Sequence, residues 1–173
     1  MAIVPDTKDW TWATREACPE CGFDPAGVVP AEVGARVRVN AALWPGVLAR
    51  DDVAERPDDS TWSPLEYACH VRDVLALYRV RLGLMLDEND PVYPDWDQDA
   101  TAVESRYAAQ DPATVADDLA REAASTADAF DAVDATQWSR TGRRSDGASS
   151  FTVTTFATYF LHDLDHHAHD VSA

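Results

Sequence analysis

The sequence predicts an all-α protein, an antiparallel four-helix bundle with a long loop between helices two and three. Three observations carry this expectation. Four segments place apolar residues at the three- and four-residue steps of a helix. Two of them open with residues that cap helix N-termini. No convincing alternating run of the kind a half-buried strand needs appears in the chain.

Residues 1–29 carry proline, glycine, tryptophan and cysteine without periodicity and read as an irregular lead-in to a bundle domain over residues 30–173. From Pro30, the series Val33, Val37, Ala41, Trp44 and Leu48 marks the first helix. Pro45 lacks a backbone donor and predicts a kink or an early stop. The polar stretch DDVAERPDDSTW connects to the second helix. There Ser63 is a cap, Pro64 suits the first helical position and Glu66 completes a capping box. This helix runs to about Leu86 through Leu65, Cys69, Leu75, Leu82 and Met85. DENDPVYPDWDQD, with two prolines and many acids, is the long loop, followed by a short helix over Ala100 to Ala109. Asp111 and Pro112 open the third long helix, whose apolar stripe is Val115, Leu119, Ala123, Thr126, Phe130 and Val133. SRTGRRSDGASS reads as a flexible polar loop. The last helix begins near Ser150 and ends near Val171. FTVTTF by itself has the composition of a strand, but Val153, Phe156, Phe160, Leu164 and Val171 favour helix.

A chain of 173 residues suits one domain, and 46% hydrophobic residues are enough for it to fold. The net charge of −17 argues against nucleic-acid backbones and anionic membranes as partners. No apolar run approaches the roughly 20 residues needed to span a bilayer. MAIVPDTKDW lacks the basic-then-apolar pattern of a secretory signal. Three cysteines are too few for a disulfide framework. A cytoplasmic protein acting on a small molecule is the expectation.

Four of the five histidines fall in FLHDLDHHAHDV, residues 160–171. His162 and His166 stand four apart and share a helix face. His169 stays on that side, while His167 points toward a flank. Such an H-x3-H pair grips a divalent ion with two imidazoles. A third ligand must come from another helix, and His70 is the only other histidine. Three protein nitrogens leave room for water or substrate, as catalytic ions require. His166 with His169 is the other possible pairing. Zinc is the first expectation, with nickel or iron also suited to imidazole. Asp73, one turn after His70, either orients an imidazole or faces solvent. Asp163 and Asp170 read as surface charge. Cys18 and Cys21, in CPECGFD, have C-x2-C spacing, which fits a plain turn, a redox pair or half of a zinc knuckle. A structural zinc site needs four ligands and no second such pair exists, so the turn leads. Cys69 reads as a core position.

WSPLEYACHVRDV from Trp62 resembles the second-helix signature of DinB-like proteins, and HDLDHHAHDV resembles that family's closing helix. RYAAQDP, Arg106 to Pro112, is similar to its link into helix three. The resemblance spans about residues 31 to 171. It implies a four-helix bundle with three-histidine metal coordination, carried here by His70, His162 and His166, and a homodimer. It also implies kinship with N-terminal domains of mycothiol-dependent maleylpyruvate isomerases and with other thiol-dependent transferases.

The function expected is therefore that of a metal-dependent enzyme. Its ion lowers the pKa of a low-molecular-weight thiol for transfer or isomerisation. A metal-dependent hydrolase that activates water, and a non-enzymatic metal- or ligand-binding bundle, are the alternatives. A thiol cofactor carrying carboxylates calls for cations, for which Arg72, Arg79, Arg81, Arg143 and Arg144 are candidates. No catalytic residue beyond the ligands is legible.

Overall fold

The long helices begin where the sequence placed their caps. Ser63 Oγ accepts from the Glu66 backbone N–H at 3.3 Å, and the Ser63 N–H donates to Glu66 Oε2 at 2.9 Å. Asp111 Oδ1 accepts from the Thr114 N–H at 2.9 Å. Each satisfies a donor that the first helical turn leaves unpaired. In the computed structural model, which describes residue 3 and residues 8–145, 147 and 149–171, the helices are α1 (Val33–Ala41), α2 (Trp44–Leu48), α3 (Pro64–Asp87), α4 (Gln98–Glu104), α5 (Pro112–Asp131) and α6 (Val153–Asp170). Most of MAIVPDTKDW, and with it the reading on a secretory signal, lies outside the described residues.

The first predicted helix is divided. A proline ring collides with the carbonyl four residues back, which for Pro45 is that of Ala41, and α1 ends at Ala41. After a two-residue break the chain resumes as α2, so the first arm of the bundle is built of two short helices. α1 packs on α5 and α6, α2 on α3 and α5, and α3 on α5 and α6. No helix of the described residues is long and apolar enough to cross a membrane.

Expectations about three segments after α3 are corrected. SRTGRRSDGASS is not all loop: β2 (Thr141–Arg144) pairs antiparallel with β3 (Ser150–Thr152), Gly142 opposite Phe151. β1 (Val92–Tyr93), in the long loop, joins β2 in parallel, giving the order β1-β2-β3. FTVTTF therefore serves both readings. Its first two residues complete a strand, and Thr152 then caps α6 by accepting from the Thr155 N–H at 3.1 Å. Nothing in TGRR advertises a strand. Gly142 is required by packing, because a Cβ there would meet Met85 Cγ at 2.7 Å. The expected helix over Ala100–Ala109 is likewise split. α4 ends at Glu104, Arg106 takes a left-handed conformation (φ 50°), and a single 3-10 turn follows over Tyr107–Ala109.

The core lies between α3, α5 and α6. Tyr78 stacks on Phe156 and Phe160 with ring centroids 4.6 and 4.7 Å apart. Val115, Leu119, Ala123, Thr126 and Phe130 of α5 are all buried. Thr126 places its hydroxyl on the Leu75 carbonyl at 2.9 Å, which satisfies it inside the core. Side chains also lock the helix ends. Arg140 donates to the Met85 and Glu88 carbonyls at the end of α3 (2.7 and 2.6 Å), and Asn40 Nδ2 donates to the Leu164 carbonyl of α6 at 2.9 Å.

Gly34 is where α1 touches α5. A Cβ there would lie 2.1 Å from Asp131 Oδ1 and 2.7 Å from the Ala127 carbonyl oxygen. The carboxylate can swing away, but the backbone oxygen cannot. Gly34→Ala should thus lose about 1–3 kcal/mol from overpacking, more than the ~1 kcal/mol gained from helix propensity. Urea unfolding measures the net loss.

Arg56 forms a two-pronged pair with Glu66, whose side chain is 3% exposed. Burial acts to raise the Glu66 carboxyl, but the Arg56 guanidinium and the Ser63 N–H outweigh it and hold its pKa below the ordinary 4.5. A depressed folded pKa gives stability that is present above the unfolded value and lost as pH falls through the folded one. Arg56→Ala should cost about 2–3 kcal/mol at pH 7. The gap from wild type should shrink below pH 4.5, as denaturant melts at both pH values will show.

Candidate metal centre

A helix turns about 100° per residue, so α6 sends His162 and His166 in one direction and Asp163, His167 and Asp170 in the next. The two directions meet different neighbours. Asp163 and His167 face His70 on α3, and the ligand atoms of these three residues all lie within 4.8 Å of one another. His162 and His166 face the lead-in, where with Cys18 and Cys21 they form a second group within the same limit.

His70 is 1% exposed. Its ring stacks on Trp96 at 5.4 Å and leans on Trp62 at 5.0 Å. Neither ring nitrogen has a hydrogen-bond partner among the described residues. Burial, with the positive charge of His167 second, pushes its pKa down to about 3. The imidazole is thus neutral at pH 7, with a lone pair to offer. His167 meets it edge-on, ring centroids 4.7 Å apart. His167 Nε2 is 3.3 Å from Asp163 Oδ1, and Nδ1 is 3.2 Å from Asp170 Oδ2. Burial works against a charge on His167, but Asp163 and Asp170 outweigh it and raise its pKa to about 9. This corner is therefore arranged to hold positive charge. Two imidazoles and a carboxylate are the donor set of a three-ligand catalytic metal site, and the orphaned buried nitrogens of His70 fit one.

The three histidines singled out in the sequence are thus distributed over two groups. His162 and His166 come together, while His70 lies with Asp163 and His167. His167 does not point to an idle flank, and Asp163 and Asp170 are not surface charge. Their i, i+4, i+7 spacing is as periodic as that of His162 and His166 and was the available signal. Asp73 does not orient an imidazole: it accepts from Arg72 Nε at 2.8 Å and from the Tyr107 hydroxyl, tying α3 to the segment after α4. His169 is exposed and belongs to neither group. Cys69 is fully buried, and burial pushes its thiol up to about 12.

Through their α6 members, Asp163 and His167 on one side and His162 and His166 on the other, both groups border one cavity of about 390 Å³, lined among others by Lys8, Trp10, Glu20, Tyr67, Gln98, Asp99 and Tyr159. Apart from histidines, its one cationic lining residue among those described is Lys8, against four carboxylates: Glu20, Asp99, Asp163 and Asp170. None of the candidate arginines lines the cavity, though Arg144 hydrogen-bonds to Tyr159 of its wall. Arg72 donates to Gln110 Oε1 at 2.7 Å, Arg79 to Glu122 at 2.7 Å and Arg81 to the Pro94 carbonyl at 2.7 Å. Arg143 pairs with Asp90 at 3.0 Å, and Arg144 donates to Ser149 at 2.7 Å.

The fold is similar to that of YfiT from Bacillus subtilis, described as "a probable metal-dependent hydrolase with an unusual four-helix bundle topology". The TM-score is 0.70 at 17% identity, over 87% of this chain and 90% of that one. No curated protein sequence matches. A sequence profile of the DinB superfamily matches residues 37–171, a span that takes in α3, the long loop and both donor faces of α6, and the chain belongs to that superfamily.

Proposed function

We propose that this chain is a metal-dependent hydrolase whose divalent ion, zinc by donor type, is held by His70, Asp163 and His167. The observation that carries this reading is the imidazole of His70, buried without a hydrogen-bond partner among the described residues and facing His167 and Asp163 beside an acidic cavity. A divalent ion there supplies Lewis acidity and a water of lowered pKa. Asp170, against Nδ1 of His167, fixes the orientation of that ring. Trp62 and Trp96 fix His70 and keep water from its faces. Glu20 and Asp99 at the cavity favour a neutral or cationic substrate over an anionic one. The same charge balance weighs against the thiol-transferase reading, because none of the candidate arginines lines the cavity where a carboxylate-bearing thiol would sit. YfiT's description as a hydrolase supports the choice.

The zinc-loaded chain should hydrolyse members of a panel of neutral and cationic amides and esters, and a chelator should stop it. His70→Ala and His167→Ala should each lose the activity, and Asp170→Asn should weaken metal binding by about 10- to 100-fold. Undiminished hydrolysis in His70→Ala would overturn the assignment. Turnover that appears only on adding a low-molecular-weight thiol would replace the hydrolase with the transferase.

A further inference from the structure

We infer that Cys18, Cys21, His162 and His166 form a second, closed metal site, a structural zinc centre that pins the lead-in to α6. This goes beyond the proposed hydrolase and does not depend on it. The four donors combine C-x2-C with H-x3-H, the ligand spacing of Cys2His2 zinc sites, although 140 residues of other structure separate the two halves.

The geometry fits four ligands around one ion. All four donor atoms lie within 4.8 Å of one another. Bonds near 2.3 Å to sulfur and 2.0–2.1 Å to nitrogen put tetrahedral ligands roughly 3.3–3.8 Å apart. Cys18 Sγ and His166 Nδ1 are 3.7 Å apart, the reach of a thiol hydrogen bond and equally the spacing of two ligands on one ion. The cysteines sit in a knuckle. The Cys18 N–H donates to the Phe23 carbonyl at 2.8 Å and the Gly22 N–H to the Cys18 carbonyl at 2.9 Å. Gly22 takes φ +76°, which a residue with a side chain rarely adopts.

The histidines are placed as ligands would be. His162 is 3% exposed among Trp10, Trp12 and Phe23, and its Nε2 is buried with no partner among the described residues. A Cys18–Cys21 disulfide would leave that nitrogen orphaned, whereas a metal ion gives the His162 ring a partner. His166 turns Nδ1 to the thiol and Nε2 toward Glu20 and Asp170, 3.6 and 3.8 Å away. Carboxylates beyond the ligating ring are the usual outer support of a metal-bound histidine.

Four protein donors leave no open position, which distinguishes a structural from a catalytic zinc. The lead-in supplies the need for one. Among its described residues it holds only the short 3-10 turns Thr11–Thr14 and Pro25–Gly27. Ion binding to such a segment is folding free energy, with each thiol releasing its proton to solvent. Trp10 and Glu20, from the same segment, line the cavity, so this ion would also hold one of its walls.

The test uses the full-length chain, reduced, stripped of metal and titrated with cobalt(II). We expect two ions per chain and a near-ultraviolet thiolate-to-cobalt charge-transfer band. Cys18→Ser with Cys21→Ser should lose the band and one ion. His162→Ala should weaken the band, and His70→Ala should lose one ion and keep the band. In case the double variant fails to fold, the unmodified zinc-loaded chain is titrated with a mercurial in the presence of a zinc indicator. One zinc should be released as the Cys18 and Cys21 thiols are blocked. Absence of the band in the wild type, its persistence without the two cysteines, or blocking of both thiols with no zinc released would overturn the site. A single ion per chain that carries the band and ignores His70→Ala would instead sink the His70 site and leave this one standing.

Discussion

His70 sits in the second turn of α3 with tryptophan on two sides and, among the described residues, no hydrogen bond to either nitrogen. Leaving a buried polar group unpaired costs about 1–3 kcal/mol, and much of the surrounding structure is arranged around that position. The wall that covers the ring comes from the long loop. Trp96 is fixed by its indole N–H on Thr101 at 2.8 Å. Upstream, the buried Arg81 donates to the Pro94 carbonyl and lies over the Tyr93 ring, 4.8 Å from its centroid. Tyr93 is pinned in turn by the pairing of β1 with β2. A loop with two prolines and many acids thus becomes a fixed lid on one imidazole, and the small sheet is what fixes it.

From the opposite side, α6 completes the arrangement by serving two neighbours at once. Its inner stripe, Phe156, Phe160 and Leu164, binds it into the core. Its last two turns carry no comparable apolar stripe. They present imidazoles and carboxylates to α3 on one flank and to the lead-in on the other. The helix that seals the core at one end is the helix that carries the polar chemistry at the other, so the placement of that chemistry inherits the rigidity of the packing.

Much of the bundle was legible because its signals are local. A cap needs only four residues, as at Ser63–Glu66, and a stripe such as Val115 to Phe130 needs one helix. Of the strands, β3 was half legible in FTVTTF, and β1 and β2 were not legible. TGRR acquires its partners only when residues 92–93 and 150–152 are brought beside it, and its glycine is explained by Met85, far away in sequence. The site was half legible for the same reason. Spacing says which residues share a face of α6, so His162 with His166 was readable. It does not say which face looks at α3, because that is set by how the helix is rolled against its neighbours. Asp163, His167 and Asp170 share a face just as well, and only packing shows that theirs is the face opposite His70. Nor does spacing reveal that a cysteine pair outside the bundle pattern folds back onto the last helix.

The two donor faces of α6 are one residue out of phase, with 162 and 166 on one and 163 and 167 on the other. This ties their histories together. Inserting or deleting a single residue between Val153 and Leu161 would roll everything downstream by about 100° and move both sets of donors off their partners in one event. Losing the cysteines, by contrast, would disturb only one flank. Descendants of this chain can therefore shed the lead-in's thiols stepwise while keeping the His70 face, but the length of α6 ahead of His162 is fixed for both.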